Sequence, residues 1–296
     1  MLELSIETGA VVRRCGTQAG AQLLKKAGFE AVDYGRTHSA YKHFEGLYTA
    51  PDAEFFGAFE ADRRIFEDAG LKIGQIHCPF NAPPDNVTPE EMQQFVKGVK
   101  RAIPASAVLF APVAVMHPVI PVGWNETEEN YRNSFAVTDR LCAEYTELGE
   151  ELGVVIALEN MPGGDTTVPY SCAEQFLKLL DKINSPYFKV CLDTGHANWA
   201  LPTGELPAMA RALAPHICAL HLHDNGGTWD NHFLPYGGTI DWDALCKALG
   251  EGGYTGTVNL ETCGMRQMGD GLFEQYMSFQ CGIVAELRDK ILAARA

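Results

Sequence analysis

The sequence predicts a single (β/α)8 TIM barrel, and three observations predict it. Short apolar runs alternate with longer amphipathic segments along the whole chain. Eight such units fit into 296 residues, an ordinary size for a closed eight-fold barrel. The first strand-to-helix turn, GAVVRRCGTQAG, lacks the G-x-G-x-x-G signature that the rival architecture, a doubly wound open sheet, usually carries there.

The strands are read in order from runs too short for helices and rich in aliphatic residues. They are Leu2–Thr8 (LELSIET), Ala31–Gly35 (AVDYG), Lys72–Cys78 (KIGQIHC), Ala114–His117 (AVMH), Val154–Asn160 (VVIALEN), Lys189–Thr194 (KVCLDT), Ile217–His223 (ICALHLH) and Thr257–Thr262 (TVNLET). Helices are read between them. TQAGAQLLKKAG ends on the glycine that helices prefer as a stop, and TPEEMQQFVKGVKRAI opens with threonine, proline and two acids. NETEENYRNSFAVTDRLCAEYTELGEELG, DWDALCKALGEGG and the C-terminal LFEQYMSFQCGIVAELRDKILAARA complete the set. No linker, low-complexity tract or run of like charge interrupts the pattern, so residues 1–296 read as one barrel domain.

Composition narrows the function. The chain is 46% hydrophobic and 21% charged, a globular balance, and no apolar window approaches the ~20 residues of a membrane span. MLELSIET starts as a strand and lacks the basic start and apolar run of a signal peptide, which points to the cytoplasm. Nine cysteines stand singly with no C-x-x-C pair, which argues against disulfides and a thiolate zinc site. The net charge of −15, with no basic cluster, repels nucleic acid and anionic membranes.

Each strand begins apolar and ends polar. The ends carry His77, His117, Glu159, Asp193 with His196 just beyond, His221 and His223, and Glu261. In a barrel all these ends converge on one face, where active sites sit. Helix capping accounts for one such carboxylate, not for three on one side of a sheet. Like charges buried together cost several kcal/mol without a counter-charge, and no lysine or arginine sits beside them. A divalent cation answers that need. Carboxylate with imidazole suits Mn²⁺ or Zn²⁺ first, then Co²⁺, Fe²⁺ or Mg²⁺. Asp193 is read as a ligand; His196 either binds a substrate hydroxyl or helps hold a further ion.

The segments ALEN, CLDTGHAN, HLHDN, DNHFLPYGGTIDW and NLET together resemble the xylose-isomerase-like barrels, strand by strand over essentially the whole chain. That superfamily includes sugar phosphate isomerases and epimerases, ketose 3-epimerases, inosose dehydratase and endonuclease IV. The resemblance places the shared metal site on Glu159, Asp193, His221 and Glu261, with Glu159 and Glu261 also serving as the catalytic acid/base pair. Endonuclease IV binds three metals, and its additional ligands match His77, His117, His196, Asp230 and His232. One ion is expected, with room for up to three. The basic, aromatic DNA-contacting loops of the repair enzymes have no counterpart in GRTHSAYKHFEGLYTAP or HCPFNAPPDN.

The expected activity is therefore metal-dependent isomerisation or epimerisation of a sugar or polyol, phosphorylated or not. The alternatives are an endonuclease IV-like phosphodiesterase, an inosose-type dehydratase and a sugar-binding barrel without catalysis. Trp124, His223 and Arg266 are candidate substrate contacts, as are Glu7, Arg36, His38, Phe80 and Trp229. The barrel family often pairs, which leaves room for a homo-oligomer.

Overall fold

A computed structural model describes residues 2–39, 46–80, 89–119, 128–163, 168–200, 204–262 and 268–295, the side chains of 89, 128–132 and 200 excepted. The alternation in the sequence becomes a strand–helix succession from end to end. In order it runs β1 (Leu4–Ile6), α1 (Gly9–Ala27), β2 (Ala31–Tyr34), α2 (Arg36–Ser39), α3 (Asp52–Asp68), β3 (Lys72–His77), α4 (Pro89–Val108), β4 (Val113–Met116) and α5 (Glu128–Leu152). It continues with β5 (Val155–Glu159), α6 (Ala173–Ile183), β6 (Phe188–Asp193), α7 (Thr194–Ala200), α8 (Leu206–Leu213), β7 (Ile217–His221), α9 (Trp242–Glu251), β8 (Val258–Leu260) and α10 (Asp270–Ala293). No described helix is long and apolar enough to cross a membrane.

All ladders are parallel. Strands β2 to β7 hydrogen-bond in sequence order, and β1 pairs with β8. Two short bridges close the ring. Thr8 N donates to Asp33 O at 3.0 Å beside the Glu7–Asp33 bridge, and Leu222 N donates to Asn259 O at 2.9 Å beside the Leu222–Leu260 bridge. The barrel expectation holds: the sheet leaves no free edge.

Alternation along each strand sorts the side chains. Outward residues such as Leu4, Ile6, Leu158, Leu192, Leu220 and Leu260 join helix residues in one large buried apolar cluster. Full burial of each such leucine contributes about 1.5–3 kcal/mol. Inward residues on β4 to β7 form a separate small cluster of Val113, Val115, Ala157, Cys191 and Ala219. On the other four strands the inward positions are polar: Ser5, Asp33, Gln75 and Asn259, all buried and hydrogen-bonded to one another. Two residues further along the eight strands stand Glu7, Gly35, His77, His117, Glu159, Asp193, His221 and Glu261. The mouth of the barrel is thus one layer of titratable side chains with a single glycine. A Cβ at Gly35 would lie 2.2 Å from Glu7 Oε1, so the glycine makes room for the Glu7 carboxylate.

Helix ends follow local chemistry. Asp241 caps α9 by accepting from Ala244 N at 2.9 Å, and Gly28 ends α1 in the left-handed region, φ 106°. Short helices follow two strands closely: α2 begins one residue after β2, and α7 begins at once where β6 ends, so His196 sits in a helical turn rather than a loop.

Candidate metal centre

Glu159, Asp193, His221 and Glu261 are brought together by the barrel. Each offers one ligand atom, and these atoms all lie within 4.8 Å of one another. His221 Nδ1 stands 3.1 Å from Glu159 Oε2 and 3.2 Å from Glu261 Oε2. Glu159 Oε2 also faces His117 Nε2 at 3.2 Å and His77 Nε2 at 3.4 Å. Among the described residues, every ion pair of these carboxylates is with imidazole, never with lysine or arginine. Glu159 Oε2 and His221 Nδ1 are nevertheless buried without a hydrogen-bond partner, although they face each other. Hard oxygens and borderline imidazole nitrogens converging in this way fit a divalent ion such as Zn²⁺ or Mn²⁺. The two glutamates differ: the Glu159 side chain is 1% exposed and that of Glu261 22%.

The surrounding contacts explain how the chain holds this layer. Asn160 ties β5 to β6, its Oδ1 accepting from Asp193 N at 2.8 Å and its Nδ2 donating to Asp193 O at 2.9 Å. Asp193 Oδ1 accepts from His196 N at 2.6 Å, at the start of α7. His196 Nε2 then lies 3.6 Å from Asp230 Oδ2, which His232 Nε2 meets at 3.0 Å. The loop carrying Asp230 and His232 is anchored by buried Asp224. Its carboxylate accepts from Asn225 N, Thr239 N, Ile240 N and Trp242 Nε1. His232 itself has φ 49°, a left-handed conformation uncommon for a histidine.

A profile of the xylose isomerase-like TIM barrel matches residues 21–279. The chain belongs to that family. It is 29% identical over 272 residues to protein y4fM of Sinorhizobium fredii, covering 83% of this chain and 81% of that one. Its fold is shared with a D-tagatose 3-epimerase-like protein (24% identity, TM-score 0.68, 96% and 99% of the two chains). It is shared too with IolI, solved with a zinc atom bound (16% identity, TM-score 0.69, 100% and 99%).

In this xylose isomerase-like barrel the remaining candidates fall into place unevenly. His77, His117 and His196 line the same cluster through Glu159. His223 is fully buried; its Nε2 meets Asp193 Oδ2 at 3.0 Å, and with His232 and Glu261 it forms a second group of ligand atoms within 4.8 Å of one another. It stacks on His232 at 4.0 Å, and a Cβ at Gly195 would fall 1.9 Å from its ring, so only glycine fits there. Arg36 is committed to Asp62 at 2.7 Å. Phe80 is stacked between His38 and His117, at 3.8 and 4.4 Å. Burial and then His77 and His117 push His38 down to about 3. Trp229 is 64% exposed beside Trp199. Burial and Asp33 raise the Glu7 carboxyl to about 7. Trp124 and Arg266 lie outside the described residues. The reading of the sequence gave no role to Asp33, Asn160, Gly195 or Asp224, although all but Asp33 stand in the segments ALEN, CLDTGHAN and HLHDN that carry the resemblance.

Protonation sets a pH dependence. Burial opposes charge on these imidazoles, yet Glu159 overcomes it at His77, Asp193 at His196, and Asp230 with Glu261 at His232, which rises to about 10. His117 goes the other way, because burial outweighs Glu159. An ion entering the four-residue site must displace the proton of its one imidazole, His221. Burial opposes that charge, but Cys191, Glu261 and Glu159 hold the ring well above its ordinary value. The ion's apparent affinity is therefore expected to rise with pH through neutrality, about tenfold per unit for each proton released. Titration of Zn²⁺ into weakly buffered protein near pH 7 should release at least about one proton per ion. Binding without release contradicts the pairing. For stability, a raised imidazole acts in the opposite sense. His232 stabilises chelator-treated protein below its ordinary value of 6.5, and that contribution is lost as pH rises through about 10.

Proposed function

We propose that this barrel is a divalent-metal-dependent isomerase or epimerase of a sugar or sugar phosphate, working by proton transfer beside a carbonyl. The observation that carries the reading is the convergence of Glu159, Asp193, His221 and Glu261 at the barrel mouth, with one glutamate sealed and the other open. Those four residues would hold the ion. A divalent ion there supplies Lewis-acid polarisation of a substrate carbonyl, which acidifies the adjacent C–H bond.

Glu261, the more exposed of the two, accepts the carbon-bound proton at a carboxylate oxygen. Glu159 stands across the cluster, where His77, His117 and His196 face it and can pass a proton to it. Return of a proton to the opposite face of the same carbon is epimerisation. Return to the neighbouring carbon is isomerisation, and loss of a β-hydroxyl instead is dehydration of the inosose type. Such general-base assistance is worth ~10²–10⁴-fold. The structural likeness to a D-tagatose 3-epimerase-like protein favours a ketose among the substrates.

The second reading is an endonuclease IV-like phosphodiesterase. It is favoured by the gathering of His77, His117, His196, Asp230 and His232 around the same four residues, a donor set large enough for up to three ions. It is opposed by the net charge of −15, which removes the electrostatic attraction on which nucleic-acid binding depends. The test sets the two side by side. Protein loaded with Mn²⁺ or Zn²⁺ is expected to convert at least one member of a panel of ketoses, aldoses and inosose-like ketones, and to leave abasic-site duplex DNA intact at physiological salt. Nicking of that duplex, abolished by Glu261→Gln, reverses the ranking.

A further inference from the structure

Asp33 is a carboxyl group inside the barrel, where a buried polar group needs a reason. It lies on β2 beneath the mouth layer and is fully buried. Among the described residues, no lysine or arginine contacts it. Its Oδ2 accepts from Gln75 Nε2 at 2.9 Å and from Asn259 Nδ2 at 3.2 Å. Ser5 Oγ donates to Asn259 Oδ1 at 2.9 Å, which turns the amide so that its NH₂ faces Asp33. These polar residues occupy β1, β2, β3 and β8, while the matching inward positions of the other four strands are apolar or carry a thiol. The arc therefore fixes one carboxylate in the centre of the barrel. That carboxylate reaches across to β7: Oδ2 is 3.1 Å from His221 Nε2. The contact is oblique, and Asp33 Oδ1 and His221 Nε2 are both buried with no hydrogen-bond partner.

His221 has its other nitrogen, Nδ1, in the cluster with Glu159 and Glu261. A neutral imidazole carries one N–H, and only the bare nitrogen can bind an ion. Asp33 Oδ2 already accepts from two amides, so it meets His221 as an acceptor and selects the tautomer with the proton on Nε2. We propose that Asp33 is a positioning residue that holds His221 with Nε2 protonated and Nδ1 presented to the ion. Outer partners of this kind orient a ligating imidazole and raise its basicity. The inference rests on the four-residue metal site and not on the identity of the sugar.

Co²⁺ is the probe. The parent chain's affinity is measured first by competition with a chelator, together with its visible absorption. A parent that holds no Co²⁺ overturns the metal site and this inference with it. Asp33→Ala is expected to weaken Co²⁺ by about 10–100-fold and to change its absorption spectrum. Asp33→Asn keeps an acceptor oxygen and is expected to recover most of the affinity. Gln75→Leu removes one of the two amide donors to Asp33 without touching His221, and its loss of affinity should be clearly smaller than that of Asp33→Ala. Parent-like binding in Asp33→Ala overturns the proposal, as does an equal loss in Gln75→Leu, which would mark a packing effect. Should Asp33→Ala fail to fold, ¹⁵N-histidine NMR of the Zn²⁺-loaded parent decides: a proton on Nε2 of His221 supports the proposal, and a proton on Nδ1 overturns it.

Discussion

Asp193→Ala is expected to leave folded protein that no longer retains its ion. Asp193 ends β6 fully buried, and its carboxylate does three things at once. It offers a ligand atom to the cluster, it accepts from His196 N at 2.6 Å, and it meets His223 Nε2 at 3.0 Å. Burial disfavours its charge, but His196 and His223 outweigh that and keep the carboxyl below its ordinary range. Removing it takes away one of four ligands and leaves a buried imidazole without its partner. Loss of one member of a buried charged pair costs about 3–5 kcal/mol, so thermal stability should fall along with metal content. Elemental analysis of protein purified without chelator should fall from at least ~1 equivalent to a small fraction of that. Unchanged content in the variant removes Asp193 from the site.

Glu261→Gln is expected to lower kcat by about 10²–10⁴-fold with a smaller effect on metal content. The amide keeps the shape and one possible ligand oxygen while removing the proton acceptor. Glu159→Gln should behave differently. Burial opposes the Glu159 charge, but His117 and His221 hold its carboxyl well below the ordinary range. Neutralising it strands those imidazoles, so the ion should be lost together with the rate. Metal occupancy must be measured in each variant before lost rate is read as lost catalysis. Equal behaviour of the two variants contradicts the division between an open and a sealed glutamate.

The barrel was legible because its strands are short, aliphatic and evenly interleaved with amphipathic runs; KVCLD and ICALH admit little else. The four proposed ligands were legible for the same reason, since Glu159, Asp193, His221 and Glu261 each break an apolar run at its end. The polar arc was not. Asp33 in AVDYG looks like a solvent-facing residue of a half-exposed strand, and only the closing of the sheet shows that its side of β2 is the inside. Asn160 and Gly195 stand in ALEN and CLDTGHAN, but nothing in those segments says what they touch. Their roles depend on neighbours 33 and 28 residues away in the chain, Asp193 and His223, that no local pattern announces. The unequal exposure of Glu159 and Glu261 was equally hidden, because it comes from four histidines on four different elements.

Breaking of a C–H bond beside a carbonyl is the event proposed for this site, and solvent deuterium reads it directly. Metal-loaded protein is incubated in D₂O with the panel of ketoses, aldoses and inosose-like ketones, and products are identified alongside the label, since a hydride shift would isomerise a sugar with little exchange. Proton transfer by the Glu159–Glu261 pair predicts deuterium on the carbon whose configuration or oxidation state changes, at a rate that collapses in Glu261→Gln. A fully metallated protein that neither exchanges, isomerises, epimerises nor dehydrates any member of the panel contradicts the account.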